Sequence, residues 1–416
     1  MLGTDRYPLP RVERIYAKYP GAATLMPVSM PSKKPLWTIV ASLLWGAVLV
    51  ALLLRSGLHP ARPTSLTTYL TGGSAWTASQ PLYTSWRGFV YPPVIAWFFS
   101  LLARLPLALA AILWRILAAG TFLFGLGALL RSGVFHRIPP AFRGLVFVGV
   151  LPLSIGNIDN AQANPLIAGL MMLSVAALQW EAWTVSAIAL GIATTFKIYP
   201  VALGLLLCVL RPRQLTWRFA LALLLLALLP FALQQPHYVS GQYHAWLQTR
   251  LADDRFHYPM KDAPLDLWYL LVRLGNLSIT PLAYTALQAL AGVALAAFVW
   301  NQSRKAVDLL DILSPLFLLV SVWMLLLGPA TENQTYIVLA PAACLALAES
   351  FARPNPLATR LPACAAFALL LAAVARNSLL PHLKTPLFMA IQPVAALLLL
   401  TAILMSRKRQ NLPRPA

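Results

Sequence analysis

The chain is predicted to fold as an all-α polytopic membrane protein, and three observations carry that prediction. Hydrophobic residues make up 59% of the sequence and charged residues only 11%, where a soluble domain carries about 25% charged residues. Mean hydropathy is +0.70. Apolar runs of roughly 20 residues, the length a helix needs to cross hydrocarbon, recur along the chain from end to end. A soluble enzyme is excluded on these grounds.

Taken in order, the apolar runs place spans at residues 36–54, 107–130, 144–155, 165–179, 184–195, 199–210 and 219–233. The later ones fall at 281–300, 309–327, 336–348, 361–375 and 386–405. The prediction is therefore a bundle of about twelve transmembrane helices, several of them short, as in helices broken around a buried site. The segment 91–104 is short and bounded by prolines, and it reads as an interfacial or re-entrant helix that does not cross. With that assignment the positive-inside rule gives one consistent orientation. The basic loops 131–143, 211–218, 304–305 and 353–360 and the tail Arg407, Lys408, Arg409 share the cytoplasmic side. Arg376 and Lys384 are the exception. The polar loops 55–90, 156–164, 234–263 and 328–334 share the other face. Three regions follow: a cytoplasmic basic segment 1–35, a multi-pass membrane domain 36–405, and a cytoplasmic basic tail 406–416.

The net charge of +20 is spread over short loops rather than gathered on one domain, so it meets lipid headgroups rather than nucleic acid. Cys208, Cys344 and Cys364 all lie in apolar runs without a CxxC pair or a histidine at ligand spacing. Neither a disulfide framework nor a zinc site is expected. The first apolar run is too long for a signal peptide and reads as a retained span.

Against this background, polar residues inside or beside the apolar runs are the candidates for function, because each costs free energy in hydrocarbon unless partnered or wetted. The densest group is Asn157, Asp159, Asn160, Gln162 and Asn164, followed by Pro165. Helix capping and interhelical bonding would use one such residue. Five suggest a site, and amides that both donate and accept suit sugar hydroxyls. Lys197 either snorkels to the interface or faces a lipid phosphate. Arg115, deep in an apolar run, reads as a structural pairing residue. Glu332 either caps the following helix or holds a hydroxyl or a base. In the loop 234–263, Asp253 and Asp254 stand among His237, His244, His257, Tyr243, Trp246 and Tyr258. Either acid could take a proton from an acceptor hydroxyl, and either could be solvated charge.

Several of these segments together resemble glycosyltransferase family 87: Tyr91-Pro-Pro, Gly156 through Asn164, and Thr195-Phe-Lys-Ile-Tyr-Pro200 ahead of the basic turn Arg211-Pro-Arg213. The layout of residues 36 to about 349 resembles it as well. That resemblance implies a GT-C-like bundle and a hexosyltransferase in the bacterial cytoplasmic membrane. Such an enzyme takes a hexose, usually mannose, from a polyprenyl-phosphate donor to a lipid-linked or glycan acceptor on the outer face. It implies no cofactor, and no metal is required where the leaving phosphate is already anionic. It also implies substrate contacts at Tyr91, Asn160, Gln162, Asn164, Lys197, Tyr199 and Glu332, with Lys197 and Tyr199 on the donor phosphate. GT-C enzymes place the catalytic acid in the first outer loop, but the loop 55–90 holds no Asp or Glu. Residues 64–69 (Thr-Ser-Leu-Thr-Thr-Tyr) stand there instead, with His59 nearby. Asp253, Asp254 and Asp159 are then the catalytic candidates, with Glu332 a fourth. Two other functions fit the same features. One is a transporter or flippase, although no second half repeats the amide segment. The other is a binding protein without turnover.

Overall fold

The computed structural model describes residues 36–410 apart from 86–87, 306–307, 329–330, 353–356 and 381–384. The basic segment 1–35, Arg353, Lys384 and the last residues of the tail lie outside it. Among the described residues the fold is entirely helical. The helices are α1 (Leu36–Leu58), α2 (Ser65–Thr77), α3 (Pro93–Ala103), α4 (Leu107–Arg131), α5 (Pro140–Asp159), α6 (Asn164–Gln179), α7 (Trp183–Phe196) and α8 (Pro200–Leu210). They continue as α9 (Pro212–Leu233), α10 (Pro236–Leu251), α11 (Pro281–Arg304), α12 (Leu309–Leu326), α13 (Leu339–Ala352), α14 (Leu357–Leu379) and α15 (Pro386–Gln410).

Among the described residues, nine helices are long and apolar enough to cross a membrane, counting Asn333–Ala352 as one. The shorter apolar helices are α3, α6, α7 and α8. At about 1.5 Å per residue, α6 to α8 fall short of a hydrocarbon core roughly 30 Å thick. The expected twelve spans are therefore not met by length and composition alone. The segment 91–104 does form a separate short helix, α3, with Pro93 in its first turn, the position where a missing N–H costs nothing. Two loops expected to be irregular contain helices instead: α2 in 55–90 and α10 in 234–263. Neither has the apolar periodicity or length of a span, which is why hydropathy passes over them.

Close backbone approach fixes the central packing. A side chain at Gly125 would meet the backbone of Gly169, and one at Gly169 would meet that of Thr121, so α4 and α6 touch main chain to main chain. Gly144 admits the backbone of Trp37 in the same way, and Gly73 that of Phe99. Small residues at helix crossings are the membrane solution to packing without a hydrophobic driving force between helices. The Gly144 contact, the bond from Trp45 Nε1 to the Phe147 carbonyl (2.9 Å) and the pairing of Arg55 with Asp159 make α1 and α5 parallel. An odd number of crossings therefore lies between them, which is what a non-crossing α2 and α3 followed by a crossing α4 supplies.

The two ends of the bundle differ. One end gathers the described residues of 55–85 and 88–91, 157–164, 234–284, 331–336, 377–380 and 385–392. Hydrogen bonds join these segments: Ser65 N to the Asn160 carbonyl, Leu265 N to the Thr331 carbonyl, Trp246 Nε1 to the Val90 carbonyl, and Asn377 to Asn333. The opposite end carries Arg137 on Asp311 (2.5 Å) and Arg407 over the Phe298 ring. The amides and acids singled out in the sequence gather at the first end, together with Arg55, Arg62, Arg250 and Arg255.

Candidate functional site

The polar end is organised by the turn between α5 and α6. The α5 helix closes with Ala161 N on the Ile158 carbonyl and Gln162 N on the Asn157 carbonyl. This is the paired C-terminal motif that usually places glycine in the left-handed position. Here that residue is Ala161, with φ of 52°, a conformation that costs an alanine about 1–2 kcal/mol. Its carbonyl accepts from Trp114 Nε1 at 2.8 Å, so the strained residue is held by a buried indole on α4.

The amides of this turn bind the protein to itself. Gln162 Nε2 donates to Ser65 Oγ at 2.6 Å, and Asn160 Nδ2 reaches the same oxygen at 3.4 Å. Asn164 is fully buried and donates to Asn157 at 3.3 Å. The residues expected to hold sugar hydroxyls therefore fasten the start of α2 to the turn, and Asn164 meets no solvent here.

Asp159 carries a heavier load. Its carboxylate accepts from Arg62 at 2.6 Å and Arg55 at 3.3 Å, and its carbonyl accepts from Arg115 at 2.7 Å. Guanidinium groups at the C-terminus of α5 also meet the negative end of the helix dipole. Arg115 does pair structurally, as expected. Asp159, offered as a base, is instead a shared counter-ion.

A second group centres on three tyrosines. Tyr69 and Tyr91 bring their hydroxyls to 3.3 Å, and Tyr69 also accepts from Ala163 N at 3.2 Å. Tyr91 is held from outside by Tyr83, whose hydroxyl donates to the Tyr91 carbonyl at 2.7 Å. Tyr199, the residue before α8, is buried, and its hydroxyl finds no partner among the described residues. Burial raises the hydroxyl pKa values of Tyr69, to about 12, and of Tyr91, and the charge of Glu332 adds to both, which puts that carboxylate within electrostatic reach of the pair. Glu332 is itself exposed and forms no ion pair among the described residues. Glu332 and Thr335 form a capping box, the side chain of each on the backbone N–H of the other, so the helix-capping expectation holds. Lys197, at the C-terminal cap of α7, is half-buried and likewise unpaired among the described residues.

The acids of the loop 234–263 are differently placed. Asp253 accepts from Arg255 (2.9 Å), Arg250 (3.2 Å) and the Tyr258 hydroxyl (2.5 Å). Burial alone would raise its pKa, but the Tyr258 bond and the two arginines outweigh burial and hold it below the usual value. A carboxylate so stabilised is a poor proton acceptor. Asp254 is exposed and pairs with His257 at 2.6 Å.

One acid escaped the sequence reading. Asp266, 5% exposed, accepts from Tyr269 N at 3.1 Å, and burial pushes its pKa up to about 7. The bonds of Leu265 to Thr331 and to Tyr336 tie its loop to the Glu332 segment. An acid directly ahead of the apolar run Leu267-Trp-Tyr-Leu-Leu271 is a helix-cap signal that could have found it. Among the described residues no three His, Cys, Asp or Glu side chains cluster to hold a metal.

An apolar helical bundle with one polar, aromatic-lined end defines a class of membrane proteins that handle a polar group at the lipid boundary. Within that class the sequence decides: the model of glycosyltransferase family 87 matches residues 89–329, and the chain belongs to that family. It is accordingly a membrane glycosyltransferase by family. A search of curated proteins finds no match to the chain.

Proposed function

We propose that the polar end transfers a hexose, mannose in the first instance, from a polyprenyl-phosphate donor to a lipid-linked or glycan acceptor. The orientation read from the basic loops puts this end outside a bacterial cytoplasmic membrane, with α6 to α8 completing twelve crossings. The observation that carries the proposal is the pairing of unneutralised groups at this end. Lys197 and the buried Tyr199 hydroxyl face no protein partner among the described residues, and Glu332 carries no ion pair among them and is within electrostatic reach of Tyr69 and Tyr91. Lys197 and Tyr199 hold the donor phosphate, and aromatic rings with hydroxyls suit a sugar face.

Of the four acids considered, Glu332 is the base this geometry favours, because Asp159 and Asp253 are committed to arginines and Asp254 to His257. The acceptor hydroxyl loses its proton to Glu332 as its oxygen forms the new bond to the anomeric carbon. The bond from that carbon to the phosphate oxygen breaks in the same step, and the polyprenyl phosphate leaves with the electron pair.

The test is incubation of the protein in nanodiscs with radiolabelled polyprenyl-phosphate mannose and a membrane-lipid extract. Label should move into a new glycolipid, and Lys197→Ala should cut kcat/KM for the donor by about tenfold or more, as loss of a phosphate-facing cation does. Donor that neither binds nor reacts would overturn the proposal and favour transport.

A further inference from the structure

We propose that Arg55, Arg62 and Arg115, with His59 and Thr64 beside them, form a phosphate-binding cleft separate from the Lys197 and Tyr199 group. The cleft opens beside the C-terminus of α5 and is lined by all five residues, with Ser56 and Ala111 at its back. Two guanidinium groups meet the Asp159 carboxylate and a third its backbone carbonyl, so three positive charges gather around one negative charge.

A structural cap for α5 would need less. One arginine on the terminal carbonyls is the usual C-terminal device. Here Arg115 already bonds the Asp159 carbonyl and the Ala111 carbonyl. Arg62 alone supplies a 2.6 Å pair to the carboxylate. Arg55 adds only a longer contact of 3.3 Å, with more than half its side chain exposed to the cleft mouth. Arg115 is 4% exposed, and its Nε finds no acceptor among the described residues. Each guanidinium offers five N–H donors in a planar fork that matches phosphate oxygens. A buried guanidinium with an unmet donor in an apolar helix is costly unless a ligand supplies the acceptor. Together the charge surplus, the unmet donor and the cleft point to an anion with several acceptor oxygens. A phosphate group at the lipid boundary has that chemistry, and its natural carrier is an acidic lipid.

The cleft shares the segment 64–69 with the tyrosine group, since Thr64 lines it, Ser65 holds Gln162, and Tyr69 reaches Tyr91. A lipid whose phosphate sits among these arginines would lie beside the segment that carries Tyr69. As a place for the acceptor, this rests on the transferase reading above. As a phosphate site it does not.

The test is binding, without any sugar donor. The full chain in neutral detergent is titrated at fixed ionic strength with dihexanoyl phosphatidic acid, dihexanoyl phosphatidylcholine and inorganic phosphate, and thermal unfolding is followed. Phosphatidic acid should stabilise the protein saturably, and phosphatidylcholine should not. Arg55→Gln, a mostly exposed change that leaves the fold unthreatened, should weaken the apparent affinity several-fold, and Arg55→Gln with Arg62→Gln about tenfold or more. Asp159→Asn removes the competing carboxylate and should tighten binding several-fold, which a merely structural Asp159 would not do. Inorganic phosphate acting like the lipid would identify a site for phosphate itself, and action by the lipid alone a headgroup site. Equal effects of the two lipids, or affinity untouched by the arginine changes, would overturn the proposal, whatever the transfer assay gives.

Discussion

Asp159 and Glu332 stand at the same end of the bundle in opposite company. Asp159 is clamped by Arg62 and Arg55, with Arg115 on its carbonyl. Glu332 is exposed, carries no ion pair among the described residues, and shares a capping box with Thr335. The difference in company is what the proposed mechanism uses: in it Asp159 shapes a cationic cleft, and Glu332 takes the proton of the acceptor.

That contrast can be broken or sharpened in steps of decreasing size. The largest effect is expected at Glu332. Glu332→Gln should lower the transfer rate by about 10²–10⁴-fold, the usual worth of a general base, with unchanged unfolding temperature; a loss under tenfold would remove it from the chemistry. Next comes the wall between the two regions. Tyr69→Phe leaves the buried N–H of Ala163 and the Tyr91 hydroxyl short of a partner, and should cost about 1–3 kcal/mol in chemical unfolding.

Asp266 adds a pH signature. Its folded pKa of about 7 lies above the ordinary carboxylate value, so the unfolded chain ionises first as pH rises. Stability should then fall between about pH 4 and pH 7, by up to about 1.4 kcal/mol per pH unit, and level off above. Asp266→Asn should flatten that slope, and an unaltered slope would show that the burial is not felt. Asp253 works in the opposite sense. Its lowered pKa gives stability that is present above about pH 4 and lost only as pH falls further. The smallest effect is at the turn, where Ala161→Gly should gain up to about 1 kcal/mol by releasing the left-handed alanine, less whatever its buried methyl contributes.

The contrast between the two acids also marks the limit of what sequence could say. The membrane class was legible, because hydropathy is a local quantity. So was the separate short helix at 93–103, from its flanking prolines. The partners of the amides were not. Ser65 is 95 residues from Asn160 and 97 from Gln162, and only the fold joins them. For the same reason five polar residues within eight positions read as a site, while two of them, Asn160 and Gln162, secure α2 and Asn157 and Asn164 bond each other. Asp253 looked like a base because it stands among histidines and aromatic residues, and the convergence of Arg250, Arg255 and the Tyr258 hydroxyl on its carboxylate is set by the fold. The helix α2 itself went unseen because it is amphipathic over too few turns for any periodicity to register, and Gly73 is what lets it lie on the α3 backbone.

The division of labour is tested most directly by single-turnover transfer from labelled polyprenyl-phosphate mannose, with Asp159→Asn and Glu332→Gln measured side by side at saturating donor. Asp159→Asn should keep its rate of transfer within about tenfold of the parent protein, while Glu332→Gln loses it. The reverse outcome, transfer abolished by Asp159→Asn and spared by Glu332→Gln, would contradict the assignment and return the base to the arginine cleft.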